Sequence, residues 1–288
     1  MALSVLASCS AFEAPLVHTA TIALVPPEAA WHDLQSARRQ LRDKGLYRWP
    51  PHVNLLYPLV PPAHFAEAVD AVAPVLRDFE PFSVTLDSLG VFGGRARGVL
   101  YVGPRADDVE KLRALQDALQ RALPACHHQQ RDGVFTPHLT LSHFPSADAA
   151  EAAKGALAGL SVTFDCDDAV YLMRREGGAG QFERVASLPL GRAHRVDGAL
   201  VGDRWAGARR FDGMPLVEED WIRDARRLQK QAQHRPGGRG RRRRRPRRSP
   251  EERAAINART PEEIAAIRAE RAEKKRLAAL ADAPPNPE

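Results

Sequence analysis

Two stretches set the terms on which this chain can fold. Trp49-Pro50-Pro51-His52-Val53-Asn54-Leu55-Leu56-Tyr57-Pro58 and Phe135-Thr136-Pro137-His138-Leu139-Thr140-Leu141-Ser142 are short apolar runs with a histidine near the start and a small hydrogen-bonding residue two positions later. Side chains alternate between the faces of a β-strand, so His52 and Asn54 share one face while Val53 and Leu55 share the other. His138 and Thr140 lie over Leu139 and Leu141 in the same way. The apolar face has an evident use as core. The polar face, present twice, needs a different explanation.

The segments around the two runs also match. Thr19 to Val25 reads as a buried strand, and Pro27 opens a helix to about Arg42, a position where its missing N–H costs nothing. Pro50-Pro51 favours an extended approach to His52. Phe65, Val69, Val72, Leu76 and Phe79 recur at steps of four and three, which predicts a second helix. A strand at Phe82–Leu86, a glycine-rich stretch to Gly98 and a strand at Val99–Val102 follow. The second half runs helix (Asp107–Leu123), histidine strand, helix (Ala147–Leu160), and strands at Ser161–Phe164, Ala169–Met173 and Phe182–Leu190. Phe82-Ser83-Val84-Thr85-Leu86 and Leu160-Ser161-Val162-Thr163-Phe164 lie 78 residues apart, and His52 and His138 lie 86 apart. The pattern predicts an α+β class with a duplicated two-lobe architecture: antiparallel-rich sheets around a central cleft, helices on one face of each.

Beyond Gly191 the texture changes. The expected organisation is a tail at 1–18, a bilobal domain at 19–191, an extension with a short helix at 192–234, an arginine-rich linker without fixed structure at 235–249 and a charged helical tail at 250–288. Arg235 to Arg248 holds nine arginines and no acid, while the whole chain is +6, so the remainder is net acidic and the basicity is local. That run suits RNA phosphates, a nuclear import signal or a plain linker. Cys9, Cys126 and Cys166 are an odd number at no metal-like spacing, which suggests a reducing compartment, the cytoplasm or nucleus, without a disulfide framework. No stretch approaches the roughly 18 apolar residues of a membrane span. A monomer without a cofactor is expected.

The paired Pro-His-apolar-(Asn/Thr)-Leu motifs resemble the two HxT-type signatures of the 2H phosphoesterase superfamily, which includes the 2′,3′-cyclic phosphodiesterases once described as 2′-5′ RNA ligases. The resemblance runs from about Thr19 to Gly191 and takes in Gly90-Val91-Phe92-Gly93-Gly94 and Val99-Leu100-Tyr101-Val102. It implies a phosphodiesterase acting on RNA ends or small nucleotides, with His52 and His138 as catalytic residues, Asn54 and Thr140 as phosphate ligands, and no metal. The chemistry of the residues agrees independently. Cleaving a phosphodiester by water needs one proton removed and one delivered, and imidazole, with an ordinary pKa near 6.5, does either near neutral pH. The Asn54 amide and Thr140 hydroxyl can donate to oxygens that gather charge.

Asn54 departs from the family, which usually has Thr or Ser there, and raises a second reading: a non-catalytic RNA-binding protein with a degenerate cleft and a basic tail. Tyr57 and His143 are candidates for a substrate pocket, with ordinary packing or rim exposure as the plainer account of each. Arg95 and Arg97 fit a solvated hairpin tip, and His127-His128 has no ligand-spaced partner. 2′,3′-Cyclic phosphates are the expected substrates, and 2′-5′-linked oligonucleotides and 3′-end trimming also fit the residues.

Overall fold

A computed structural model describes residues 15–131, 133–177, 180–191, 195–196, 199–200, 204–225 and 227. The arginine run and the expected tail helices lie outside the described residues. In chain order the elements are β1 (Ala20–Leu24), α1 (Trp31–Gln40), β2 (Val53–Leu56), α2 (Phe65–Arg77), β3 (Ser83–Gly94), β4 (Arg97–Pro104), α3 (Val109–Ala122), β5 (Gln130–Arg131), β6 (Val134–Phe135), β7 (Leu139–Phe144), α4 (Ala147–Lys154), β8 (Val162–Asp165), β9 (Val170–Arg174), β10 (Glu183–Ser187), β11 (Arg195–Val196), β12 (Ala199–Leu200) and β13 (Arg204–Arg209). Among the described residues, β5 pairs only with β6, and β11 only with β12.

The two expected sheets are halves of one sheet, which among the described residues has nine strands in the order β13-β10-β9-β1-β2-β7-β4-β3-β8. The histidine strands are neighbours at its middle. β2 and β7 are antiparallel and share one register pair, Val53 with Leu139. From that point β2 runs along β1 and β7 along β4, so the two halves meet where these strands begin. Each half also holds a strand from the other part of the chain. β3 pairs with β4 and β8 in one half, and β9 pairs with β1 in the other. The matched strings at 82–86 and 160–164 are therefore partners on the same edge. Thr85 faces Thr163, with their hydroxyls 2.9 Å apart.

Alternation along the strands assigns the two faces. Ala20, Ile22, Leu24, Val53, Leu100, Val102, Leu139, Val170 and Leu172 join one buried cluster with the apolar stripes of α1 to α4. Along β1, Thr21 and Ala23 point the other way. α3 packs against β2, α1 against β7, and α4 against β3 and β4. Ser146 caps α4, accepting from the Ala149 N–H at 3.1 Å. That helix stops at Lys154, short of the expected Leu160, and the chain then reaches Gly159 at φ +87°, a conformation that suits glycine.

The glycine-rich stretch forms a hairpin. Most of it is strand, since β3 and β4 form an arm whose tip is Arg95-Ala96. Tyr101 lies across Gly90 so closely that a Cβ there would sit 2.3 Å from the tyrosine oxygen. The glycine is the bed for that ring.

The domain does not end at Gly191. β13 pairs with β10 and extends the sheet. Phe211 and Met214 then pack with Trp31, Met173 and Phe182 in a second buried cluster on the face opposite the main core. Phe211 is wedged between Trp31, at 5.5 Å, and Tyr171, at 5.6 Å, with the Arg184 guanidinium 4.7 Å over its ring. Glu28 accepts from the N–H groups of Asp212 and Gly213. A Cβ at Gly213 would meet the Trp31 ring at 2.8 Å. Sparse apolar residues hid this segment, because a few aromatics in the right places replace a periodic stripe. Phe211→Ala should cost about 3–5 kcal/mol, the usual range for a buried Phe. Denaturant unfolding of chains ending at Gln231, with and without the substitution, measures it. A chain ending at Gly191 should unfold at a lower temperature than the unsubstituted chain ending at Gln231.

Candidate active site

The seam between β2 and β7 builds the site. Val53 and Leu139 are paired and fully buried on the helix side, so their sequence neighbours point to the opposite face. Carrying the register one residue each way sets His52 across from Thr140 and Asn54 across from His138. The two histidines are thus diagonal neighbours. In a regular ladder such a diagonal separates side chains by roughly 7–8 Å, room for one phosphate group. The four residues singled out from the two motifs come together on one face.

Both imidazoles are anchored alike. His52 Nδ1 lies 2.8 Å from the Pro50 carbonyl oxygen, and His138 Nδ1 lies 2.8 Å from that of Thr136. A carbonyl only accepts, so each Nδ1 carries the proton and each Nε2 is the acceptor. The Asn54 amide nitrogen is 3.1 Å from His52 Nε2. Behind it, Thr21 donates to the Asn54 side-chain oxygen at 2.8 Å and has the Leu56 carbonyl at 3.0 Å. Among the described residues Thr140 makes no side-chain hydrogen bond, which leaves its hydroxyl to a ligand.

Aromatic rings fix the histidine planes. Trp49 stacks on His52, centroids 4.4 Å apart, and Phe182 covers the other side of Trp49. His138 takes the edges of Phe92 at 4.9 Å and Tyr101 at 5.5 Å. Arg38, buried in α1, donates to Gln35, to the Trp49 carbonyl at 2.9 Å and to Asp43. Arg38 therefore holds the chain just before the first motif. Desolvation within this packing pushes the His52 pKa down to about 3, with Arg38 and His138 adding to the fall and the Pro50 carbonyl opposing it. Desolvation also lowers the His138 pKa, against the Thr136 carbonyl. Both rings are neutral at pH 7 when the site holds no anion.

The remaining candidates sit farther out. Tyr57, at the end of β2, donates to the His18 carbonyl at 3.2 Å and sets its ring edge against Trp49. Desolvation raises its pKa, opposed by Arg175 and Arg48. His143 is exposed on β7 opposite Val99. Desolvation lowers its pKa first, Asp43 raises it, and Arg97, Arg38 and Lys44 lower it further. Arg95 and Arg97 are exposed on the β3–β4 arm. His127 and His128 stack on each other at 4.8 Å. Sequence reasoning missed Thr21, Arg38, Phe92 and Tyr101 as site builders. Only Phe92 and Tyr101 had a signal, their place beside the glycines.

Among the described residues no group of three or more His, Cys, Asp or Glu side chains is placed to share a metal ion. No described helix is long and apolar enough to cross a membrane. Cys126 and Cys166 are buried free thiols whose pKa values burial raises, that of Cys126 to about 11.

No functionally curated protein matches the sequence. Among solved structures, E. coli LigT complexed with 3′-AMP is 17% identical at a TM-score of 0.41, covering 60% of this chain and 95% of LigT. TT0787 of Thermus thermophilus is 17% identical at 0.43, covering 62% of this chain and 100% of its own. Kluyveromyces marxianus Usb1 is 14% identical at 0.36, covering 60% and 98%. Likenesses this distant carry no argument about activity. The family model of the 2′-5′ RNA ligase superfamily matches residues 26–179, more than half of the chain and both histidine motifs. With its two signature strands joined at one seam, the chain belongs to the 2′-5′ RNA ligase superfamily of 2H phosphoesterases.

Proposed function

We propose that this protein is a metal-independent phosphodiesterase acting on RNA ends or small nucleotides, with 2′,3′-cyclic phosphates as substrates. The observation that carries this reading is the diagonal placement of His52 and His138 on one face, each with Nδ1 tied to a backbone carbonyl. Two such rings can flank a phosphate and serve opposite ends of one displacement. A neutral imidazole takes a proton from water as the water oxygen bonds to phosphorus. The other, as imidazolium, gives a proton to the ribose oxygen as its bond to phosphorus breaks. Asn54 and Thr140 donate to the non-bridging oxygens as charge builds there. The phosphate supplies the negative charge that favours the imidazolium, offsetting the desolvation that keeps it neutral in the free protein. Tyr57 and His143 are proposed to border the remainder of a nucleotide.

His52→Ala and His138→Ala should each lower kcat by about 10²-fold or more, the range for losing a general acid or base. Turnover of a cyclic mononucleotide should survive EDTA and follow a bell-shaped pH profile. Turnover only with added metal, or normal turnover by either variant, would refute the reading. Binding of RNA by a protein that turns over no cyclic phosphate, 2′-5′-linked oligonucleotide or RNA 3′ end would favour the non-catalytic alternative.

The lowered His52 pKa also has a sign in stability. Between pH 6.5 and about 3 the unfolded chain protonates this residue and the folded chain does not, so stability falls as the pH drops through that window. From pH 6.5 to about 5, above the ordinary carboxylate range, His52→Gln should therefore lose less thermal stability than wild type. Anion binding reverses the bias. Inorganic phosphate should bind more tightly as the pH falls toward 5, with proton uptake visible by calorimetry in buffers of different ionisation enthalpy.

The arginines at 235–248 are proposed to supply RNA affinity outside the cleft. A chain ending at Gln231 should turn over a cyclic mononucleotide at the wild-type rate, yet bind long RNA more weakly and with a shallower salt dependence. An unchanged salt slope would make the run a linker or an import signal.

A further inference from the structure

His52, Asn54 and Thr21 form a hydrogen-bonded chain that does more than hold a ring. In the observed arrangement each donor meets an acceptor in one direction. Thr21 Oγ1–H points to Asn54 Oδ1, Asn54 Nδ2–H to His52 Nε2, and His52 Nδ1–H to the Pro50 carbonyl. That direction suits only the neutral ring. Once Nε2 gains a proton it becomes a donor, and the amide nitrogen facing it is the wrong partner.

Thr21 provides the way out. Its hydroxyl lies 3.0 Å from the Leu56 carbonyl and 3.2 Å from that of Ile22, besides its contact with Asn54. If the amide turns over, Asn54 Oδ1 accepts from the imidazolium Nε2–H and Nδ2 donates to Thr21 Oγ1. The hydroxyl proton then swings to the Leu56 carbonyl, and each of these polar groups keeps a partner. We infer that Thr21 and Asn54 are a two-position relay that holds His52 in the same place in both of its protonation states. Toward His52, Asn54 acts as a positioning residue, besides the phosphate contact proposed for its second amide hydrogen. A threonine there would adjust by turning a hydroxyl, whereas an asparagine must turn its whole amide and so needs the Thr21 hydroxyl behind it. The charged and titratable groups that face His52 from other elements are Arg38 of α1, itself bound to Asp43, and His138 of β7. Neither can replace the relay, because Arg38 carries donors only and His138 stands diagonally across the seam.

The test changes one end of the relay at a time and reads His52 directly. Asn54→Asp supplies acceptors only. By site-resolved ¹⁵N NMR titration, His52 should be neutral at pH 7 with its proton on Nδ1 in wild type, and its pKa should rise in this variant by about 1–3 units, the effect of a carboxylate beside an imidazole. The acid limb of kcat/KM should move up by about one pH unit or more, as expected beside a new carboxylate. Thr21→Val should lower kcat about tenfold with little change in KM, the loss expected for one hydrogen bond needed only in the charged state. Thr21→Ser, which keeps the hydroxyl, should stay within about twofold of wild type on the same reasoning. An unshifted His52 titration in Asn54→Asp, or Thr21→Val turning over like Thr21→Ser, would overturn the relay. Should Thr21→Val fail to fold, the aspartate variant decides alone. Only the kinetic arms rest on the phosphodiesterase reading. The NMR arm needs no turnover, so failure of that reading and failure of the relay are distinguishable.

Discussion

A single backbone register pair, Val53 with Leu139, joins the two halves of the sheet at the point where both histidine strands begin. Because β2 and β7 meet near their starts and run on in opposite directions, each must find another partner, and each does, in β1 and β4. The seam is therefore short. Its geometry gives the site its economy: one buried apolar pair toward the helices forces one residue on either side of it, on both strands, to the opposite face. Two histidines and two hydrogen-bonding residues reach the same spot through alternation alone.

Short seams are weak unless their flanks are pinned, and the pinning here is asymmetric. On the His52 side, a buried Arg38–Asp43 pair grips the Trp49 carbonyl, and Trp49 is held between His52 and Phe182. On the His138 side the support comes from the β3–β4 arm, through Phe92 and Tyr101. The same packing that fixes the rings strips them of water, so rigidity and lowered basicity have one cause. The buried ion pair matters here more for position than for stability, since desolvating two charges offsets much of their attraction.

The histidine strands, the four helices and the pairing of polar residues were legible in the sequence because each follows a local period. His52, Asn54, His138 and Thr140 could be placed on common faces from alternation, and the repeat of the motif suggested that they meet. The crossing of β3 and β9 into opposite halves was not legible, since strand partners far apart in the chain leave no period in the letters. The use of Gly90 and Gly93, a bed for Tyr101 and a strand position at φ +127°, gave no signal because it depends on a neighbouring strand. Phe211, Met214 and Gly213 were invisible for the same reason: they answer to Trp31 and Tyr171, which are their neighbours only in space. Thr21 looked like an ordinary strand residue, and only its three oxygen neighbours give it a role.

The exchange of strands between the halves also orders events during synthesis. β1 lies between β2 and β9 in its half, and its register with β9 ties Ala20 to Arg174. When β2 leaves the ribosome, β1 can pair along only one edge. Its other edge stays open until residues 170–174 emerge, followed by β10 and β13. Such distant pairings slow folding and leave an apolar strand with an exposed edge in the meantime. The half that carries His52 is thus begun first and closed last, and the nascent chain cannot present a finished cleft before its final strand arrives.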